Sequence, residues 1–201
     1  MKKQLVIIDL KKTNILSCVM FIVSFIVALI INVTLFSSFH FTLGLWDYLI
    51  VIVACPLLFV CHEGIHALSF IIGGAPKRSI SFGAIPKKFM LYCTTCEPIS
   101  KKTYMISLLM PLIITGIIPI IIATILLDYK YILLFALMIS GAAGDVVMIG
   151  KLLKFKKAKM ILDHPKAPAF YLLYDENEIP EDFVEVTDAM EQEILKQINS
   201  K

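Results

Sequence analysis

Charged residues are scarce in this chain. They make up 17% of its 201 residues, and hydrophobic residues make up 58%, whereas a soluble domain is about a quarter charged and close to half apolar. The net charge of +3 is small, and no nucleic-acid-binding motif accompanies it, so we expect no nucleic-acid partner. The composition predicts an integral membrane protein, with the lipid bilayer as its surroundings.

Paired cysteines with metal-site spacing are also lacking. Cys93-Thr94-Thr95-Cys96 is a lone C-x-x-C, and a structural zinc site needs a second ligand pair with similar spacing. The spacing therefore argues against a zinc-finger type of site. Two interpretations of Cys93 and Cys96 stay open, namely packing in a strand and a redox role.

Long apolar runs, by contrast, are abundant. Four of them are long enough to cross a bilayer as helices, at about 15–36, 47–72, 104–127 and 131–150. No small-residue cleavage site follows the first run, so we expect a retained span rather than a signal peptide. The sequence therefore predicts an all-α membrane protein with four transmembrane helices.

The basic residues predict the orientation of these helices. Lysine and arginine cluster in the N-terminus, in the 73–103 segment and after Gly150, while the other two connections carry one basic residue between them. The positive-inside bias places both termini and the 73–103 segment in the cytosol. We expect a multi-pass protein of the plasma membrane, with a transmembrane domain at 1–150 and a small cytosolic tail at 151–201.

Three polar residues interrupt the second apolar run. In His62-Glu63-Gly64-Ile65-His66 the two imidazoles are four residues apart and project from one face of a helix. This spacing allows two nitrogen ligands to one Zn²⁺ ion, with Glu63 placed to act on water at the metal. A chance match or an interior polar cluster is the alternative. Because ionisable side chains in hydrocarbon are costly, they are normally retained for a function.

Asp145 is the matching feature of the fourth run. At 1.5 Å per residue, His66 lies about 10 Å and Asp145 about 9 Å from the predicted cytosolic boundary. Gathering these groups and Glu63 around one cation removes most of the cost of burying them separately. Ligation by His62, His66 and Asp145 leaves a fourth position for water, as in catalytic zinc sites. The next candidates for the third ligand are Asp163 and His164.

Small and helix-breaking residues accompany these candidates. Gly141-Ala142-Ala143-Gly144 suits a close approach between two membrane helices, whether or not a metal lies nearby. Pro111, Gly116 and Pro119 should bend the third helix or free backbone carbonyls. Such irregularity is typical of a backbone that lines a cavity, and a kinked packing helix is the alternative.

The 73–103 segment has a different character. Gly73-Gly74-Ala75-Pro76 should end the second helix, and residues 79–85 and 89–94 have the pattern of two short strands around Pro86-Lys87-Lys88. We expect a β-hairpin insert over the cytosolic mouth of the site. Its exposed edge can pair with an extended peptide, or the hairpin is a structural lid that binds nothing.

The arrangement resembles the intramembrane site-2 proteases, through His62-Glu63-Gly64-Ile65-His66 on one span and an aspartate late in a following span. It is more similar to a family of small bacterial four-helix membrane proteins regarded as zincin peptidases of unknown substrate. In that family a histidine motif, a strand-like insert, a Gly-Asp pair and an Asp-x-Pro follow in this order, here at His62–His66, 79–99, Gly144-Asp145 and Asp163-His164-Pro165. The resemblance extends from about Pro56 to Tyr174 and implies a bacterial cell membrane.

One departure from the site-2 proteases concerns the third ligand. Those enzymes usually carry Asn-x-x-Pro and Leu-Asp-Gly motifs there, whereas this chain has Ala143-Gly144-Asp145-Val146. We expect no PDZ domain within these 201 residues, and we therefore expect the spans, the insert or the tail to select the substrate.

The resemblance and the residues together predict a zinc-dependent intramembrane metalloprotease acting near the cytosolic face. Zn²⁺ would be held by His62, His66 and Asp145, Glu63 would be the catalytic base, and the substrate would be a membrane protein or peptide. Two alternatives use the same ligands, namely a metal transporter and a non-catalytic membrane protein.

Overall fold

Six α-helices and six β-strands form the protein in the computed structural model, which describes residues 1–36, 43–85, 90–165, 167–181, 183–189 and 191–192. The helices are α1 (Leu10–Phe36), α2 (Leu45–Ile72), α3 (Lys101–Pro111), α4 (Ile118–Ile125), α5 (Tyr129–Gly141) and α6 (Ala143–Lys154). The strands are β1 (Lys2–Ile7), β2 (Ile80–Ile85), β3 (Met90–Thr95), β4 (Ile99–Ser100), β5 (Met160–Asp163) and β6 (Ala169–Tyr174). A π-helical turn, Leu112–Ile117, joins α3 to α4.

Four helical segments are long and apolar enough to cross a membrane, namely Leu10–Phe36, Leu45–Ile72, Lys101–Ile125 and Tyr129–Lys154. They confirm the four predicted helices, and each begins a few residues earlier than its apolar run. Large apolar side chains cover their outer surfaces; Ile52 and Val53 of α2, for example, are 65% and 62% exposed. Contiguous apolar surface of this kind suits lipid rather than water, which fits a multi-pass membrane protein.

The end of α2 follows from the predicted glycine pair. Gly74 adopts φ +99°, a left-handed conformation that glycine reaches without steric cost. The N–H of Ala75 then donates to the carbonyl of Phe70 at 2.9 Å, which satisfies a carbonyl at the helix end. The chain leaves α2 here, two residues after Ile72, and enters the strand region.

The prediction of a single hairpin in an otherwise helical protein is wrong in part. The hairpin is present, with β2 antiparallel to β3 and Ile80 opposite Thr95; its predicted turn lies within 86–89, outside the described residues. A second antiparallel sheet, with strand order β1-β6-β5-β4, joins the N-terminal segment to the tail. Every residue of β6 is buried, so this strand lacks the alternation of apolar and polar residues that reveals a half-exposed strand.

The four-stranded sheet packs against the same ends of the helices that carry the polar motif. Phe70 of α2, Tyr104 of α3 and Leu152 of α6 form one buried cluster with Ile161 of β5 and Phe170 of β6. This cluster brings the residues after the last helix close to His66, which lies one turn before Phe70 on α2. The tail thereby becomes part of the surroundings of the candidate site.

Candidate metal centre

His62 and His66 lie one turn apart on α2, and both side chains point into the protein. Their exposed fractions are 3% and 5%, and their ring centroids are 4.9 Å apart in an edge-to-face arrangement. The four-residue spacing therefore does what the helical period predicts, because it places both imidazoles on one buried face.

Asp145 reaches the same point from another helix. The fourth long apolar segment, Tyr129–Lys154, is interrupted at Ala142, whose ψ of 7° separates α5 from α6. Asp145 therefore lies in the first turn of α6, where the N-terminal end of the helix dipole stabilises a carboxylate. Its Oδ2 is 3.2 Å from Nε2 of His62, and its Oδ1 is 3.5 Å from Nε2 of His66.

Close helix packing makes this approach possible. Gly141, four residues before Asp145, lies against the ring of Phe59 on α2; a Cβ there would lie 2.4 Å from a ring carbon. Ala142 and Ala143 are fully or almost fully buried. The predicted close approach at the small residues is therefore present, and its partner is the helix that carries the histidines.

Hydrogen bonds fix which nitrogen of each histidine faces Asp145. Nδ1 of His66 lies 2.9 Å from the carbonyl oxygen of Ser107, and a carbonyl can only accept, so Nδ1 carries the hydrogen. The hydroxyl of Thr115 donates to the carbonyl of Pro111 at 2.7 Å, which leaves its oxygen to accept from Nδ1 of His62 at 3.4 Å. In the neutral imidazoles both Nε2 atoms are therefore unprotonated, and each has a free lone pair.

Two unprotonated nitrogens that face a carboxylate are stable together only with a cation between them. Without a proton or a metal ion, lone pairs at 3.2 and 3.5 Å from carboxylate oxygens repel each other. Zinc bonds of about 2.0–2.2 Å place neighbouring ligand atoms of a tetrahedron roughly 3.3–3.6 Å apart. The candidate ligand atoms of His62, His66 and Asp145 all lie within 4.8 Å of one another, so the donor set and its spacing fit Zn²⁺.

The irregular third span supplies one of these contacts. The backbone from Leu112 to Ile117 is π-helical and follows Pro111, as the helix-breaking residues of this run led us to expect. Thr115 belongs to this turn, and π-helical turns occur frequently at functional sites. Sequence reasoning missed Thr115 and Ser107, although the proline four residues before Thr115 marked the irregular segment.

Glu63 lies beside the three grouped residues, and its side chain is partly exposed. Its carboxylate interacts electrostatically with His66, His62 and Asp145, and the backbone of Cys93 on β3 reaches it. The predicted hairpin therefore lies at the motif, with β3 as the strand nearest to Glu63.

A cavity of about 850 Å³ connects these groups. The polar residues that line it include the three candidate ligands and Glu63, and β3 contributes four consecutive residues, Leu91 to Thr94. The cavity extends between Leu10–Ser17 of α1 and Cys55–Val60 of α2. A volume of this size admits a stretch of peptide.

The alternative third ligands, Asp163 and His164, lie near the cavity but outside the grouped ligand atoms. Asp163 accepts hydrogen bonds from the hydroxyl of Tyr104 and from the N–H of Thr95. Burial raises the pKa of its carboxyl to about 6. His164 lies 3.3 Å from a carboxylate oxygen of Glu191. Both side chains therefore have protein partners in place of a metal.

Both cysteines of the C-x-x-C motif are free thiols. Burial, together with the charges of Glu63 and Asp163, raises the pKa of the Cys93 thiol to about 12. A thiol that stays protonated at neutral pH is a weak nucleophile and a weak metal ligand. Packing in a strand therefore describes Cys93 better than a redox role.

A comparison with known protein families found one family whose model matches this chain. A family described as "putative zincin peptidase" matches residues 55–160, which is more than half of the chain and includes the histidine motif, the hairpin and Asp145. Comparisons with curated proteins and with solved structures found no match. The name of the family points to zinc as the metal and to peptide hydrolysis as the reaction. The chain belongs to this zincin peptidase family.

Proposed function

We propose that this protein is a zinc-dependent metallopeptidase that cleaves a peptide bond within or beside the bacterial cell membrane, near the cytosolic face. The observation that carries the proposal is the arrangement of His62, His66 and Asp145. The Nε2 atoms of both histidines on α2 and the carboxylate of Asp145 on α6 point to one place. Their spacing is that of tetrahedral zinc ligands. Two further residues, Thr115 and Ser107, hold the imidazoles in the required tautomer.

Glu63 is the proton carrier in this proposal. Zinc, when bound, polarises a peptide carbonyl and makes water acidic enough to lose a proton near neutral pH. Glu63 follows His62 on the same helix and lines the cavity with both histidines, so its carboxylate can accept that proton and return it to the leaving amine. Its position at the cavity gives it access to water and to a peptide.

The substrate would bind along β3. In the two-stranded sheet β3 pairs with β2 on one side only, and four consecutive β3 residues line the cavity. An extended peptide can add to such an edge through backbone hydrogen bonds. This supports a peptide as the substrate and favours the binding edge over the inert lid.

The position relative to the membrane rests on two observations. The cavity is lined by residues of α1 and α2, both of which are long and apolar enough to be spans. Lysine and arginine concentrate at the N-terminus, in 73–103 and in the tail, which supports a cytosolic position for this end of the molecule. We therefore expect a membrane protein or a membrane-bound peptide as the substrate.

The decisive experiment compares Glu63→Gln with the wild-type protein, purified in detergent, with a library of quenched fluorescent peptides as the probe. Glu63→Gln should keep its zinc and lose cleavage by about 10²–10⁴-fold, because it removes only the proton carrier. Glu176→Gln is the matched control, since Glu176 lies at the surface, with its side chain 76% exposed. Cleavage by Glu63→Gln at the wild-type rate would refute the proposal, and a zinc-dependent ion flux that survives this change would favour a transporter.

A further inference from the structure

The outer edge of β3 faces two carboxylates in succession, and one of them accepts a hydrogen bond from it. In an antiparallel strand the N–H groups of residues i and i+2 point to the same side. Cys96 donates its N–H to the carbonyl of Ser79, towards β2. The N–H of Thr95 instead donates to Oδ2 of Asp163 at 3.0 Å, away from β2. The N–H of Cys93, two residues earlier, therefore points the same way, and there the backbone of Cys93 reaches the carboxylate of Glu63.

Asp163 is buried and hydrogen-bonded, unlike a carboxylate at the protein surface. It is 9% exposed and is the last residue of β5, which pairs with both β4 and β6. Its second oxygen accepts the hydroxyl hydrogen of Tyr104 on α3, and Tyr104 is 1% exposed. One side chain thus connects the four-stranded sheet, the third span and the end of β3.

We propose that Asp163 is a positioning residue, which fixes the end of β3 at Thr95 so that the N–H of Cys93 faces Glu63 and the edge before it, at Leu91, stays open to a peptide in the cavity. This inference rests on the proposed function, because it assumes that β3 receives the substrate. Asp163 itself stays outside the ligand set and does not touch the metal. Its loss should therefore loosen β3 and weaken peptide binding while the zinc content stays the same.

The first test needs no catalysis. Amide hydrogen exchange of the zinc-free protein in detergent reports directly on the N–H of Thr95. Asp163→Leu removes the acceptor and keeps the branched shape of the side chain, so exchange at Thr95 and Cys93 should accelerate by about tenfold or more, the equivalent of a lost hydrogen bond to a charged group. Asp163→Asn keeps one acceptor oxygen and should retain most of the protection. Unchanged exchange in the leucine variant overturns the inference.

The second test uses the peptide probe that wild-type protein cleaves best. Asp163→Leu should raise KM by about tenfold or more, leave zinc stoichiometry at the wild-type value and affect kcat less, and Asp163→Asn should recover most of the loss. Asp175→Asn is the control, because Asp175 pairs with Lys159 at the surface of the same tail. A fall in kcat or in zinc content with KM unchanged would contradict a positioning role.

A third variant covers the case in which the leucine variant does not fold. Tyr104→Phe removes one of the two donors to Asp163 and leaves the carboxylate in place, so exchange at Thr95 should rise less than in Asp163→Leu but in the same direction. Exchange at Thr95 equal to wild type in Tyr104→Phe would overturn the inference if the leucine variant is lost. These exchange rates do not depend on cleavage, so they separate failure of this inference from failure of the proposed function.

Discussion

His62 and Asp145 are 83 residues apart in the chain, and their side chains are 3.2 Å apart. The contact joins α2 to α6 at the place where Gly141 allows the helices to approach. Because the neutral Nε2 of His62 and the carboxylate are both acceptors, their proximity depends on a cation. Zinc binding and helix packing should therefore be coupled in this protein.

Asp145→Asn should abolish stoichiometric zinc binding. The asparagine keeps the size of the side chain but removes the charge that balances the metal, and its NH₂ group would face a bare nitrogen as a donor instead. Zinc content of the purified protein, measured by elemental analysis, decides the outcome. Asp163→Asn is the matched control, since Asp163 is the other buried carboxylate near the cavity and should retain zinc. Loss of zinc in Asp163→Asn with retention in Asp145→Asn would reverse the ligand assignment.

Thr115→Val should weaken zinc binding by about 10–100-fold, the usual effect of losing a partner that orients a histidine ligand. The change keeps the shape of the side chain and leaves Nδ1 of His62 without its acceptor. Thr124→Val is a matched control in the same span, because the hydroxyl of Thr124 donates to the carbonyl of Ile120 at 2.7 Å in the same way that Thr115 donates to Pro111. Competition with a chelator of known affinity gives the dissociation constants; equal values for the two variants would contradict an orienting role for Thr115.

The pH dependence of stability should report on Asp163. Burial raises the pKa of its carboxyl from 3.8 to about 6, so the folded protein holds this proton more tightly than the unfolded chain. The contribution of Asp163 to stability is thus complete below about pH 4 and is lost as the pH rises through about 6. A shift of this size corresponds to roughly 3 kcal/mol.

Asp163→Asn has no such titration, so its stability should change less between about pH 4 and pH 7 than that of the wild-type protein. Thermal unfolding midpoints of both zinc-free proteins in the same detergent provide the comparison. Other titrating groups are common to the two proteins and cancel in the difference between the curves. Parallel curves would show that Asp163 does not titrate in this range.

Local sequence patterns were sufficient for the parts of the molecule that depend on short spacing. The four apolar runs gave the four helices, and the four-residue interval gave the common face of His62 and His66. Asp145 was predicted from its depth, because two helices that are expected to run inward bring polar residues to one level. In the structure the ligand atoms of Asp145 and the two histidines lie within 4.8 Å of one another, which is the grouping that this argument predicted.

Long-range strand pairing and the hydrogen-bond partners of the histidines could not be predicted from local sequence patterns. Lys2–Ile7 resembles a basic flank of the first helix, and only its pairing with Ala169–Tyr174 makes it a strand. Ser107 contributes a backbone carbonyl to His66, and every residue has such a carbonyl, so its identity carries no signal. Thr115 was marked only indirectly, by the proline before it.

The pairing of β1 with β6 also affects how the protein is made. The helices α1 to α6 all precede Ala169 in the chain, so the ribosome has made all four long apolar segments before the partner strand of Lys2–Ile7 emerges. Asp163 likewise appears only after the last helix. The four-stranded sheet can therefore close only late in translation, after all four long apolar segments have been synthesised.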